Sequence, residues 1–185
     1  MIAVPIILGL IVIIGLWLVL SRNSFVSIKN QVEEAFSTMD VYLKKRYDLI
    51  PNLVETVKGY AKHEKETLSK VVELRNQLTQ LPADDHEGAM QLSNQITDSL
   101  KTIFALSESY PDLKANTNFA NLQEELTNTE NKIAYSRQLF NSSAAVYNKM
   151  LLVFPSNIVA NIHHFTKVDY LEIPEEETKV PKVSF

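Results

Sequence analysis

The hydrophobic pattern begins with a continuous apolar run, Ile2 to Leu20, that contains no charged side chain. As a helix the run is roughly 28 Å long at about 1.5 Å per residue, and the hydrocarbon core of a bilayer is roughly 30 Å thick. The run therefore predicts one transmembrane helix, with an anchor over residues 1–21. A cleaved signal peptide is the alternative, but nothing basic precedes the run and residues 21–24 lack an Ala-x-Ala-type site.

From Phe25 onward, apolar residues recur every three or four positions, which is the period of an amphipathic helix. Proline normally ends a helix or occupies its first turn, yet the spacing passes through Pro51 without a change of phase. This predicts one long kinked helix to about Gln80. Two helices, with Pro51 opening the second, are the alternative. The apolar positions are Phe25, Ile28, Val32, Ala35, Phe36, Met39, Leu43, Ile50, Leu53, Val57, Tyr60, Ala61, Leu68, Val71, Leu74 and Leu78.

Three further helices are predicted after a turn at residues 81–85 that ends in a capping aspartate. The first ends near Tyr110-Pro111. The second and longest begins around Asn118 and continues to Pro155. A short helix then extends to about His163, with proline in its first turn and Ile158 and Ile162 on one face.

The last residues differ in composition from the helical segments, because β-forming side chains are interrupted by Pro174, the glutamates 175–177 and Pro181. An extended tail packed on the helices and a small hairpin are both compatible with this pattern. The chain as a whole predicts an all-α fold: an antiparallel helical bundle at residues 24–164, behind one N-terminal transmembrane helix, followed by an extended C-terminal tail at 165–185.

Composition excludes several classes of function. The chain has 185 residues, a formal net charge of -4 and no cysteine. The net negative charge and interspersed lysines argue against nucleic-acid binding, and the absence of cysteine excludes thiolate chemistry. The four histidines show no zinc-ligand spacing. We therefore expect no metal, no cofactor and no enzymatic activity.

A second stripe, partly polar, lies beside the apolar positions of the predicted helix that begins around Asn118. Buried polar side chains need hydrogen-bond partners, and plausible partners occur on the first long segment. One interpretation is a satisfied polar layer that fixes the helix register; the other is a polar groove, Glu130 to Asn148, that binds a peptide or a small ligand. The stripe contains Glu130, Ala134, Arg137, Asn141, Ala145 and Asn148, and the partner residues are Arg46, Asp48, Asn52, Glu64 and Arg75.

The positive charges near the apolar run bear on membrane topology and lipid contact. Arg22 and Lys29 follow the run, which favours a cytoplasmic soluble domain. Lys44-Lys45-Arg46 could bind lipid headgroups, but a continuous helix places it roughly 35 Å beyond the anchor. A solvated helix face is therefore the preferred interpretation of this basic cluster.

Several sequence motifs spread over nearly the whole chain carry a resemblance to a known family. The residues are Arg46-Tyr47-Asp48-Leu49-Ile50-Pro51-Asn52-Leu53-Val54, Val57-Lys58-Gly59-Tyr60-Ala61, Glu64, Tyr110-Pro111-Asp112-Leu113-Lys114-Ala115-Asn116, Phe119, Leu122, Gln123, Leu126, Glu130, Ile133, Arg137, Asn141, Tyr147-Asn148 and Phe154-Pro155. In this order and spacing they resemble the bacterial LemA family. One departure is Phe140, where the family usually has tyrosine, so this chain has no side-chain hydroxyl to form a hydrogen bond at that position.

This resemblance implies a membrane-anchored antiparallel helical bundle of the bacterial cell membrane, from a family without an established enzymatic activity. Genes of the family often lie near those of membrane metalloproteases, which suggests a protein partner. We therefore expect a non-enzymatic scaffold or interaction module, bound to the membrane by one span, with an unidentified protein partner. A receptor that uses the polar stripe is the alternative.

Overall fold

A computed structural model describes residues 3–82 and 85–172, and this part of the chain contains six helices and no strand. The all-α prediction is therefore confirmed. The predicted tail from residue 173 onward lies outside the described residues. The helices are α1 (Ala3–Lys58), α2 (Lys65–Leu78), α3 (His86–Ser109), α4 (Pro111–Lys114), α5 (Thr117–Leu152) and α6 (Ser156–Ile162).

The chain forms two compact units. The first unit consists of the described residues of Met1–Ser37 and Ser136–Tyr170, and the second consists of those of Thr38–Tyr135 and Leu171–Phe185. Helices α1 and α5 each contribute to both units, because their bounds cross these divisions.

The first helix continues without a break from the apolar run through Pro51 to Lys58. Proline at position 51 has no N–H to donate to the carbonyl of Tyr47, four residues earlier. The Arg75 side chain on α2 replaces that donor, since its Nε donates to the Tyr47 carbonyl at 3.3 Å. The Arg75 guanidinium also lies 4.1 Å from the centre of the Tyr47 ring. The Arg75 side chain thus supplies the hydrogen bond that the Tyr47 carbonyl cannot receive from Pro51.

The prediction of a single kinked helix to Gln80 is wrong. Helix α1 ends at Lys58, and α2 begins at Lys65. Glycine at position 59 disfavours continuation, and the Val57 carbonyl accepts from the Tyr60 and Ala61 amides at 3.0 and 2.8 Å. The apolar spacing did not reveal this turn, because Ala61 inside it is as fully buried as the helical residue Val57.

The core of the second unit contains apolar side chains from α1, α2, α3, α4 and α5. The predicted cap is present at the start of α3, where the Asp85 side chain accepts from the Gly88 amide at 2.9 Å. Asn116 caps α5 by accepting from the Phe119 amide at 3.0 Å. The core residues are Ile50, Leu53, Val57, Ala61, Leu68, Val71, Leu74, Ile96, Leu100, Ile103, Leu113, Phe119 and Leu126.

In the first unit, aromatic contacts join α1 to α5 and to the segment after α6. Phe25 is fully buried, meets Tyr147 edge-on at 6.0 Å and stacks on Phe165 at 4.9 Å. Phe36 meets Phe140 at 6.1 Å, which confirms the predicted place of Phe140 among the apolar positions. Low residue numbers on α1 pair with high ones on α5, so the two helices are antiparallel.

The chain after α6 is held by a side-chain amide. Asn148 donates from Nδ2 to the Val168 carbonyl at 2.7 Å and accepts at Oδ1 from the Val168 amide at 2.9 Å. Residues 163–172 contain no helix or strand, so the described start of the tail is irregular. Proline 155 precedes α6 instead of lying in its first turn, and Val159 and Ala160 are its buried residues.

Among the described residues, α1 is the helix that is long and apolar enough to cross a membrane. Large apolar side chains along its first part are exposed in the folded chain, as expected for a lipid-facing surface. The candidate span is thus a continuous part of the helix that also enters the second unit.

We expect Arg75→Ala to lower the free energy of unfolding by about 1–3 kcal/mol, because the Tyr47 carbonyl loses its donor and the Tyr47 ring loses its cation. Arg75→Lys should recover little of this loss, since an ammonium cannot reproduce the planar Nε geometry. Chemical unfolding of the detergent-solubilised chain measures both changes.

The control introduces Pro51→Ala into the native chain and into the Arg75→Ala variant. This substitution restores an N–H at position 51. Arg75→Ala should cost less in the Pro51→Ala background than in the native chain, because the Tyr47 carbonyl regains a helical donor. Equal costs in the two backgrounds would contradict the proposed compensation.

Candidate functional site

The most unusual feature of the second unit is a buried arginine. Arg46 lies on the core-facing side of α1 between Leu43 and Ile50, and its side chain is 1% exposed. The sequence-based prediction that residues 44–46 form one solvated face is therefore wrong for Arg46. Lys44 and Lys45 are exposed, whereas Arg46 points into the protein.

Groups on α3 and α5 bind the Arg46 guanidinium. Its Nη1 donates to the Glu130 carboxylate on α5 and to the Thr97 hydroxyl on α3 at 2.9 Å. Its Nη2 donates to the Ser93 hydroxyl and, at 3.2 Å, to the Ser93 carbonyl. The five N–H donors of a guanidinium point outward in a fixed plane, so these partners fix its orientation.

The polar groups around Arg46 also bind one another. The Thr97 hydroxyl lies 3.0 Å from Glu130 Oε1 and 3.1 Å from the Ser93 carbonyl, and it carries one proton to share between them. Ser93 is fully buried, whereas the Glu130 side chain is 26% exposed. One edge of the cluster therefore reaches solvent through the glutamate. We call Arg46, Ser93, Thr97 and Glu130 the arginine cluster.

The chemistry of this cluster is that of a structural link. Arginine stays protonated at any physiological pH, so it neither accepts nor releases a proton. Removing a charge from water is costly unless ionic and hydrogen-bonding partners compensate, and Glu130 provides the counter-charge. Within residues 3–82 and 85–172, no group of three His, Asp or Glu side chains is arranged to hold a metal ion.

The other residues predicted as partners of the stripe lie elsewhere in the second unit. Asp48 and Asn52 are exposed on α1. Glu64 accepts at 3.3 Å from the Tyr110 hydroxyl, and Arg75 binds the Tyr47 carbonyl. Of the residues predicted for the layer, the structure thus joins Arg46 to Glu130.

Three predicted residues belong to the first unit. Arg137 is buried, Asn141 is partly buried, and Asn148 holds the Val168 backbone. Their place in one continuous layer, or in a groove from Glu130 to Asn148, stays a prediction.

Sequence reasoning missed the contribution of α3 to the arginine cluster. Ser93 falls between Met90 and Ile96 in the apolar pattern of that helix, and this was the available signal. A buried serine at a core position indicates a polar partner, but it does not identify Arg46 as that partner.

Partial burial, and then the neighbouring Glu64 carboxylate, raise the pKa of the Tyr110 phenol above its ordinary value of 10.0. The charge of Glu64 disfavours tyrosinate, and the hydrogen bond stabilises the neutral phenol. Nearby, Asn116 donates to the Tyr60 hydroxyl at 2.9 Å. These contacts tie the turn after α1 to the chain between α3 and α5, and Tyr110 remains a hydrogen-bond donor through neutral and mildly alkaline pH.

A groove of about 1440 Å³ lies beside this turn, between the end of α1 and one face of α2. Its apolar floor includes Val54, Ala61, Leu68 and Val72. Lysines at positions 58, 62 and 65 line one end together with His63, and one carboxylate, Glu73, lines the groove. None of the three lysines makes an ion pair within the described part of the chain. We call this feature the α1–α2 groove; its other lining residues are Ser69, Asn76, Gln77 and Gln80.

Comparison with known proteins agrees with the motifs in the sequence. The sequence model of the LemA family matches residues 35–185. Protein LemA of Metamycoplasma hominis is 27% identical over 139 residues, which cover 75% of this chain and 63% of that protein. The chain therefore spans less than two thirds of this relative.

Two magnetosome proteins are also similar. Magnetosome protein MamQ of Magnetospirillum gryphiswaldense is 24% identical over 188 aligned residues, which cover 88% of this chain and 69% of MamQ. Magnetosome protein MamQ 2 of Paramagnetospirillum magneticum is 22% identical, with the same coverage of both chains. The similarity includes most of the helical part of the chain in each case.

We expect Arg46→Ala to lower the free energy of unfolding by about 3–5 kcal/mol, because Glu130 loses its counter-charge and buried Ser93 loses its partner. Arg46→Met, which fills the space without a charge, should cost less when combined with Glu130→Gln than when made alone. Urea unfolding monitored by circular dichroism measures each change.

The adjacent residue provides the control. Lys45 forms an ion pair with Glu125, also between α1 and α5, but both side chains are more than 40% exposed. Lys45→Ala should therefore change the free energy of unfolding by less than about 1 kcal/mol. Similar losses of unfolding free energy for Lys45→Ala and Arg46→Ala would contradict the prediction that the buried Arg46–Glu130 pair contributes more to stability than the exposed Lys45–Glu125 pair.

Proposed function

Because this chain belongs to the LemA family, we propose that it is a membrane-anchored, non-enzymatic interaction module whose helical bundle binds a protein partner. The first part of α1 would hold the protein in the membrane. The second unit would present the partner-binding surface. Membrane metalloproteases, whose genes often adjoin those of the family, are the first partners to test.

The α1–α2 groove is the observation that carries this proposal. Small-molecule pockets usually have volumes of about 300–1,000 Å³ and enclose most of the ligand. This groove is larger, at about 1440 Å³, and is open along α2. An apolar floor with polar edges suits an amphipathic helix, whose side chains at positions i, i+3, i+4 and i+7 fill such grooves.

The charges at the groove specify the partner further. Lys58, Lys62 and Lys65 give the lining a positive excess over the single carboxylate of Glu73. An amphipathic segment with Asp or Glu beside its apolar positions complements this pattern, and complementary charge favours rapid and selective association. We propose such an acidic segment as the partner's binding element.

The bonds that connect α1, α2, α3 and α5 support a preformed groove. The arginine cluster fixes α1 against α3 and α5, and Arg75 joins α2 to the Tyr47 carbonyl on α1. A surface held in its bound form loses less conformational entropy when a partner binds. A stable, non-catalytic frame is what an interaction module requires.

Charge reversal tests the groove. A displayed library of amphipathic peptides is panned against the full chain in lipid nanodiscs, and the affinities of the enriched peptides are measured. We expect enriched peptides to carry more Asp and Glu than Lys and Arg. Combining Lys58→Glu, Lys62→Glu and Lys65→Glu should weaken their binding at least about ten-fold, because the charges would then repel.

A matched control reverses three exposed lysines outside the groove: Lys44→Glu, Lys70→Glu and Lys132→Glu. Its net charge equals that of the groove variant, and Lys70 lies on the same helix α2, so binding should persist. Failure to enrich acidic peptides, or equal losses in the two triple variants, would contradict the groove as the binding surface.

We propose that the second unit faces the cytoplasm, because Arg22 and Lys29 follow the span and positive residues favour that side. Protease added to cells with a permeable outer envelope should leave this unit intact, whereas protease added after lysis of the inner membrane should degrade it. Degradation before lysis, with a cytoplasmic marker protein still intact, would place the unit on the other side.

A further inference from the structure

A group of large apolar side chains is exposed where α5 ends and α6 begins. Leu152 and Phe154 are 81% and 75% exposed, and Val153, Ile158 and Ile162 are 46%, 44% and 58% exposed. All five belong to the first unit. Contiguous exposed apolar surface on a folded protein indicates contact with a protein or a membrane. We call these five residues the α5–α6 apolar patch.

The aromatic contacts of the first unit give the height of this patch relative to the span. Phe25 contacts Tyr147, and α5 runs antiparallel to α1. Leu20, where the apolar run ends, precedes Phe25 by about 7.5 Å along α1, and Leu152 follows Tyr147 by about 7.5 Å along α5 in the same direction. Leu152 therefore lies at about the level where the transmembrane segment leaves the bilayer.

Helix α6 has apolar side chains on two faces. Val159 and Ala160 are buried, whereas Ile158 and Ile162, one turn apart, are exposed. A short helix that covers a core needs one apolar face, and the opposite face of a water-exposed helix is normally polar. The second apolar face is explained if α6 lies between the protein core and lipid.

The distribution of exposed apolar side chains supports the same environment. In the described part of the second unit, the exposed large apolar residues are Val41, Tyr60 and Tyr135, and two of these carry a hydroxyl. The first unit contains the transmembrane segment and the whole patch. Exposed aliphatic surface is thus concentrated in the unit that contains the span.

We propose that the α5–α6 apolar patch inserts into the interfacial region of the bilayer that α1 crosses. Its side chains would reach the boundary between headgroups and acyl chains, about 5–10 Å deep, as amphipathic interfacial helices do. The exposed cations Arg22 and Lys149 lie near the same level, where anionic headgroups attract them. The first unit then contacts the membrane at two places, through the span and through the patch.

Tryptophan fluorescence tests this proposal, which rests on the proposed membrane span. Trp17, the one tryptophan of the chain, lies in the apolar run and reports the span itself. A Trp17→Phe background with Phe154→Trp places the probe in the patch. The full chain is reconstituted as one copy per nanodisc, with lipids that are brominated on the acyl chains near the headgroups, or with unbrominated lipids.

We expect brominated lipids to quench at least about half of the Phe154→Trp emission and to leave it shifted to the blue. The matched control, Trp17→Phe with Leu139→Trp, places the probe on an exposed position of α5 about 20 Å from Leu152, at about 1.5 Å per residue. The control emission should respond to the water-soluble quencher acrylamide and not to bromine.

Four results distinguish the possibilities. Quenching of Phe154→Trp by acrylamide but not by lipid would show that the patch faces water, and shielding from both would show a protein contact; either result overturns the proposal. Loss of lipid quenching at native Trp17 would instead overturn the membrane span. Combined lipid quenching at Trp17 and at Phe154→Trp, without quenching of the control, supports the inserted patch.

Discussion

The buried guanidinium of Arg46 is the constraint on which the architecture of the second unit depends. A charge that is 1% exposed is tolerated only where partners replace water, and its partners come from α3 and α5. Apolar packing alone permits small shifts of one helix along another. The bonds of Arg46 to Ser93, Thr97 and Glu130 permit one register, because displacement by a single helical turn would separate the charges.

Arg75 likewise provides a hydrogen-bond partner for a polar group, in this case a backbone carbonyl. The carbonyl of Tyr47 would be left without its helical donor by Pro51, and Arg75 supplies the donor from α2. This bond also sets the distance between α1 and α2, the two helices that line the α1–α2 groove. A proline that interrupts the hydrogen bonding of one helix is thereby coupled to the position of the next helix, and hence to the shape of the proposed binding surface.

Periodicity and capping signals in the sequence predict most of the helices, including the start of α3 at Asp85 and the place of Phe140. They fail at residues 59–64, because Ala61 keeps the apolar spacing while the backbone turns. The sequence indicates Arg46 among five plausible partners of the stripe that contains Glu130, without assigning the pair, and it misses Ser93 and Thr97, since hydrogen bonds between distant segments depend on helix register. The groove is a property of two packed helices and has no local sequence signal.

The transmembrane prediction explains more of the chain than the span itself. If the apolar run served only as a tether, the folded residues beyond it would be expected to present a polar surface, as they largely do in the second unit. Instead, the first unit exposes Leu152, Phe154 and Ile162, which the proposed span would bring to the level of the membrane surface. Lipid contact accounts for both sets of apolar residues with one cause, whereas a tether in water leaves the α5–α6 apolar patch without an energetic explanation.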